Sequence, residues 1–140
     1  MHSGKALTVL SFDFGLKRIG IAVGDTITCT AAPRPAVTDW PGIEREVRTL
    51  QPGMLIVGAP VSTDGSPSSI TQAAQGFAEE LERRFGLPVH RVDERYSSLE
   101  ASEKLKDKRA SGARKRRVQK GDIDSAAAAV ILERWFKTYE

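Results

Sequence analysis

The chain has 140 residues, 40% of them hydrophobic and 28% charged, with a formal net charge of +3. That length and apolar content predict one domain over residues 1–140, large enough to bury its own core, and exclude wholesale disorder. The lone Cys29 excludes an internal disulfide framework and an all-cysteine zinc site, and no apolar stretch reaches the roughly 18 residues of a membrane span.

Residues 1–5 are small or polar. Leu7 to Phe12 is apolar and β-prone, and Ile19 to Val23 repeats that character after a short connection holding Gly15. The pair predicts an antiparallel hairpin. The first run is too short for a secretory signal and is stopped by Asp13, so the expected compartment is the cytoplasm. Thr26 to Val37 carries Pro33 and Pro35, and prolines inside a β-like segment predict an irregular edge strand.

Helical spacing then takes over. Ile43, Val47 and Leu50 form one apolar face with charges between them, and Pro52-Gly53 ends the helix. Met54 to Gly58 is uninterrupted and apolar, as in a strand buried on both faces. Ala59 to Pro67 reads as a loop, with Ser66 capping and Pro67 opening a helix that runs to Phe85, stopped by Gly86 and Pro88. Val89 to Val92 is a short strand. Ser97 and Glu100 stand at capping-box spacing before a helix reaching about Arg109. Asp122 is placed to cap a last helix, Ile123 to Phe136. The order predicts an α/β fold: a mixed sheet, antiparallel first and parallel later, with helices on both faces.

The charge is unevenly distributed. Residues 104–120 hold nine of the 21 basic residues and one acid, Asp107, for a net +8, while the remainder holds 12 basic and 17 acidic residues, a net −5. The contiguous Arg114, Lys115, Arg116 and Arg117 point to a polyanion, and so to nucleic acid, as partner.

Acids stand at three places that suit chemistry. Asp13 ends the first strand, Asp93-Glu94 ends the Val89 strand, and Asp122 and Asp124 stand at the head of the last helix. In open α/β sheets ligands gather beyond the carboxyl ends of strands. The Ser125-Ala126-Ala127-Ala128-Ala129 face carries almost no bulk, which lets that helix approach the sheet and bring Asp124 toward the strand-end acids. Carboxylates from separate elements suit Mg²⁺ or Mn²⁺ rather than zinc, and a pair of such ions suits phosphodiester cleavage. Spacing does not choose between Asp93 and Glu94. His2, His90 and Cys29 have no neighbours that suggest catalysis.

Four blocks carry a resemblance: Asp13-Phe14-Gly15 with Arg18-Ile19-Gly20-Ile21-Ala22; Gly58-Ala59-Pro60 with Asp64-Gly65; Asp93-Glu94-Arg95-Tyr96-Ser97-Ser98; and Lys120-Gly121-Asp122-Ile123-Asp124-Ser125-Ala126-Ala127. In this order they resemble the YqgF/RuvX family over nearly the whole chain, with Ala59 departing from the usual Gly-Leu-Pro. The family is described as Holliday junction resolvases and, more often, as nucleases maturing the 5′ end of the small-subunit ribosomal RNA precursor. The resemblance implies an RNase H-like five-stranded mixed sheet and catalytic, metal-binding acids at Asp13, Glu94 and Asp124, with Asp122 as the alternative to Asp124. It also implies a nucleic-acid surface from Lys17, Arg18, Arg95, Arg114, Lys115, Arg116, Arg117 and Lys120. Resolving a junction symmetrically would need a homodimer, for which Trp135, Phe136 and Tyr139 are candidate contacts. Two other functions compete. One is an ATP-binding phosphotransferase, which Asp13-x-Gly also resembles but which needs two such domains. The other is a non-catalytic nucleic-acid-binding module.

Overall fold

The structure, a computed structural model, describes residues 7–59, 69–93 and 120–139. These form strands β1 (Thr8–Asp13), β2 (Ile19–Asp25) and β3 (Ala31–Val37), helix α1 (Trp40–Leu50), strand β4 (Met54–Ala59), helix α2 (Ser69–Phe85), strand β5 (Val89–Asp93) and helix α3 (Lys120–Tyr139). The sheet order is β3-β2-β1-β4-β5. β1 and β2 pair antiparallel, as do β2 and β3, whereas β4 runs parallel to both β1 and β5. β3 is an edge strand, and its pairing with β2 slips between Ile19 and Ile21, opposite the segment holding Pro35. Proline cannot donate to a ladder, so the irregularity falls where the sequence predicts it. The expected cap at Ser66-Pro67 and the helix from Ser97 lie outside the described residues.

Period-two alternation divides the core. Leu10, Phe12, Ile19, Ile21, Leu55 and Val57 face α1 and α2, where they pack with Ile43, Phe77 and Leu81. Val9, Met54 and Ile56 face α3 and pack with Ile131, Leu132, Trp135 and Phe136. β4 supplies both layers, which is why its sequence is apolar without alternation. Local signals end the helices. Asp39 caps α1, its carboxylate accepting the Gly42 amide at 3.0 Å, and Gln51 closes it in a left-handed conformation, φ 50°. Gly86, φ 64°, turns the chain out of α2.

Two expectations are corrected here. Asp122 does not cap the last helix: α3 already begins at Lys120, so Asp122 lies inside its first turn, where an acid is favoured by the helix dipole. Trp135 and Phe136 are not exposed dimer contacts. They are 9% and 1% exposed because α3 turns them onto the sheet, where they help build its second core layer. No described helix is long and apolar enough to cross a membrane.

The contact between α3 and β2 is the closest in the fold. Gly20, Ala22 and Gly24 share one face of β2. A Cβ on Gly20 would collide with the backbone carbonyl of Asp124, and one on Gly24 would run into the Thr30 carbonyl and press on Leu132 and Phe136 at 3.1 Å. Glycine inside a strand here marks a close backbone approach. At the far end of β2, Asp25 folds the following turn. Its carboxylate accepts the Thr28 amide at 2.8 Å, the Ile27 amide at 2.9 Å and the Thr28 hydroxyl at 3.2 Å. Led by the Thr28 amide, these donors outweigh partial burial and hold its pKa below the ordinary value.

Gly20→Ala is expected to cost about 2 kcal/mol or more in urea unfolding, as overpacking does. Gly76→Ala in α2, where an added Cβ meets nothing within 4 Å, should gain about 0.5–1 kcal/mol. Because folding lowers the Asp25 pKa, its contribution is fully present above its unfolded value, near pH 4, and fades as pH falls through the native one. The stability gap between the wild-type chain and Asp25→Asn should therefore narrow on acidification below about pH 4 in a series of urea unfolding curves.

Candidate nucleic-acid active site

β1 ends on Asp13, which lies in register with Gly20 of β2 on one side and Gly58 of β4 on the other. Neither neighbour has a side chain, so the space beside the Asp13 carboxyl group is not filled from within the sheet. Asp13 is 8% exposed and follows Val9 and Ser11 on the face that α3 covers. A carboxylate so deeply placed calls for polar or cationic company.

α3 brings the second acid. With Gly20 pressed against the Asp124 carbonyl, and Gly20 itself facing Asp13 across the ladder, Asp124 is held one strand away from Asp13. Two buried hydroxyls fix this docking. Ser11 donates to the Ala128 carbonyl at 2.7 Å, and the Ile21 amide donates to Ser125 Oγ at 3.3 Å. Ser125 and Ala126 to Ala128 are all buried, so the small-residue face works as the sequence predicts.

Arg18 leaves the β1–β2 turn and donates through Nε to Asp124 Oδ2 at 2.8 Å. Both side chains are about a third exposed, at 35% and 27%. The turn that delivers it is tight, since a Cβ on Gly15 would stand 2.6 Å from the Arg18 carbonyl. Lys17 and Leu16 are exposed in the same turn, Leu16 at 76%. Behind the turn a cavity of about 150 Å³ is lined by Phe14, Leu16, Lys17, Trp40 and Phe77. Among the described residues no three His, Cys, Asp or Glu side chains converge as a cation site. Glu94, Arg95 and Arg114 to Arg117 lie outside the described residues. Asp93, Lys120 and Asp122 are placed by their backbone, at the end of β5 and in the first turn of α3.

Sequence reasoning names Asp13 and Asp124 as acids and Arg18 as part of a nucleic-acid surface, and it does not single out Gly20, the ladder partner of Asp13 on which the Asp124 carbonyl seats. The signal for Gly20 was present as a glycine in mid-strand, spaced by two from Ala22 and Gly24. Pairing of Arg18 with Asp124, 106 positions away, left no local signal.

This sheet order, with a helix laid across its antiparallel half, is the RNase H-like fold. RuvC of Thermus thermophilus, solved in complex with a Holliday junction substrate, superposes with a TM-score of 0.57 at 15% identity over 95% of both chains. The yeast mitochondrial Holliday junction resolvase Ydc2 does so with a TM-score of 0.52 at 10% identity, over 92% of this chain and 77% of that one. Such identities show likeness of fold. Family membership comes from the sequence: the profile of the RuvX family, described as Holliday junction resolvase, matches residues 7–138, and the chain belongs to that family. A relative from Legionella pneumophila strain Paris is 42% identical over 137 residues, covering 94% of this chain and 96% of its own. One from Escherichia coli O157:H7 is 43% identical over 136 residues, covering 93% and 96%. Both bear the name "Putative pre-16S rRNA nuclease".

Ser125→Ala would leave the buried Ile21 amide without its hydroxyl acceptor. The expected loss is about 1 kcal/mol in urea unfolding, the size of one buried hydrogen bond.

Proposed function

We propose that this chain is an endonuclease that hydrolyses phosphodiester bonds with the help of divalent cations, and that its task is maturation of the 5′ end of pre-16S rRNA in the cytoplasm. The observation that carries this reading is that the Asp124 main chain seats on Gly20, the ladder partner of Asp13, so that two acids from distant parts of the chain come to neighbouring positions at the end of β1. Their donors are hard oxygens, which suit Mg²⁺ or Mn²⁺, and we assign two ions. Glu94 is the third acid. It is the position that the YqgF/RuvX resemblance implies, directly after the end of β5 at Asp93. Asp124 is preferred to Asp122 because its main chain is the part of α3 seated on Gly20.

The residues divide the work. Asp13 and Asp124 hold cations and set their position, with Asp13 shielded by the sheet and Asp124 pinned by the helix. Bound divalent cations supply a polarised water and charge stabilisation for the leaving oxygen. Lys17, exposed in the β1–β2 turn, is assigned to a flanking phosphate, and Arg95, Arg114 to Arg117 and Lys120 to the backbone at a distance, in a salt-dependent and sequence-independent way. Residues 1–140 work as one domain in this reading.

The RuvC-like fold supports a second substrate, the four-way DNA junction, which is what the Thermus relative was solved with. Cleavage of a pre-16S 5′ fragment and of a junction, side by side in Mg²⁺ and in Mn²⁺, distinguishes them. The wild-type chain should cut the RNA precursor, and Asp13→Asn, Glu94→Gln and Asp124→Asn should each reduce cleavage by at least about 10³-fold while nucleic-acid binding persists. Cleavage that survives any two of these substitutions removes the proposal, and preferential cutting of the junction transfers it to DNA. Saturating Mn²⁺ should raise the unfolding free energy of the wild-type chain, by about 2.7 kcal/mol at one hundred times the dissociation constant, and leave Asp13→Asn unchanged.

A further inference from the structure

Arg18 occupies one oxygen, Oδ2, of the carboxylate assigned to a cation. Its Nε lies 2.8 Å from Asp124 Oδ2, and a magnesium–oxygen bond is about 2.1 Å long, so both partners on that oxygen would bring a guanidinium and a dication within about 5 Å of each other. Like charges so close, in a site partly shielded from water, repel strongly.

The arrangement also shows which partner can move. Asp124 is fixed, because its main chain is wedged against Gly20 and the next residue accepts the Ile21 amide. The Arg18 backbone is fixed too, by the close passage of Gly15 over its carbonyl. Between these two anchors the Arg18 side chain is the longer and the more exposed, at 35% against 27%, and it has solvent to swing into. A competing charge has to displace it.

We propose that Arg18 is a latch on the metal site: its guanidinium occupies Asp124 in competition with the divalent cation, so that cation binding and the Arg18–Asp124 ion pair exclude one another and Arg18 sets how tightly the site loads. This rests on Asp124 being a cation ligand, as assigned above. Arg18 is then a positioning residue that acts through Asp124, and it neutralises a carboxylate that would otherwise stand beside Asp13 uncompensated.

The test is Mn²⁺ affinity, read from the electron paramagnetic resonance of free Mn²⁺ at low ionic strength, with thermal unfolding in EDTA to show that each variant is folded. Arg18→Ala and Arg18→Gln should bind Mn²⁺ about fivefold to tenfold more tightly than the wild-type chain, having lost both the competing ion pair and the repelling charge. Arg18→Lys, which keeps the charge but not the Nε contact, should fall between. In an Asp124→Asn background the Arg18 substitutions should change nothing. If Arg18→Ala and Arg18→Gln bind Mn²⁺ no more tightly than wild type while Asp13→Asn and Asp124→Asn weaken binding, the latch is wrong and the metal site stands. If neither acid substitution weakens binding, the site assignment fails and the latch goes with it.

Discussion

The architecture depends on one steric condition: α3 must touch the backbone of β2. Gly20, Ala22 and Gly24 offer the helix a strand face with almost no relief, and Ser125 to Ala128 answer it with a helix face equally small. Larger side chains would hold the two elements a side-chain layer apart. With none in between, dispersion contacts run from main chain to main chain, and the two buried hydroxyls of Ser11 and Ser125 convert close packing into a defined register. Sliding α3 along the sheet would strand both hydrogen bonds and drive the Asp124 carbonyl off the glycine that accommodates it.

Chemistry inherits that precision. The two acids assigned to the proposed site are separated by more than a hundred residues, and neither rests on a loop. Asp13 is carried by a central strand flanked by the glycines opposite it, and Asp124 by a helix whose own backbone is the contact. Rigid elements hold such groups more accurately than loops do. Arg18 is the contrasting part: a long side chain on a tight turn, able to leave the site without disturbing either anchor.

The sheet also shows how the same residue type does opposite work at its two ends. Asp25 and Asp13 both end strands. Asp25 spends its lone pairs on the Thr28 and Ile27 amides and the Thr28 hydroxyl, which makes it a turn-builder. Asp13 ends the central strand β1, in register with Gly20 and Gly58, and is buried on the face that α3 covers. Composition alone does not separate them, since each is an aspartate after an apolar run.

What the chain reveals by itself is whatever has a short period or a local steric cause. The buried strand Met54–Ala59 is legible in its unbroken apolar run, the edge strand in Pro33 and Pro35, the end of α2 in Gly86, and the docking face of α3 in its alanines, because each signal lies within a few residues of its effect. Family blocks spread along the sequence mark Asp13 and Asp124 as well. Only the tertiary structure decided that α3 starts at Lys120, that Trp135 and Phe136 turn inward, that the Asp124 carbonyl seats on Gly20, and that Arg18 lies on Asp124. Those outcomes depend on which faces meet once sheet and helix are docked, and that is settled by packing between elements over a hundred residues apart, where no local period reaches.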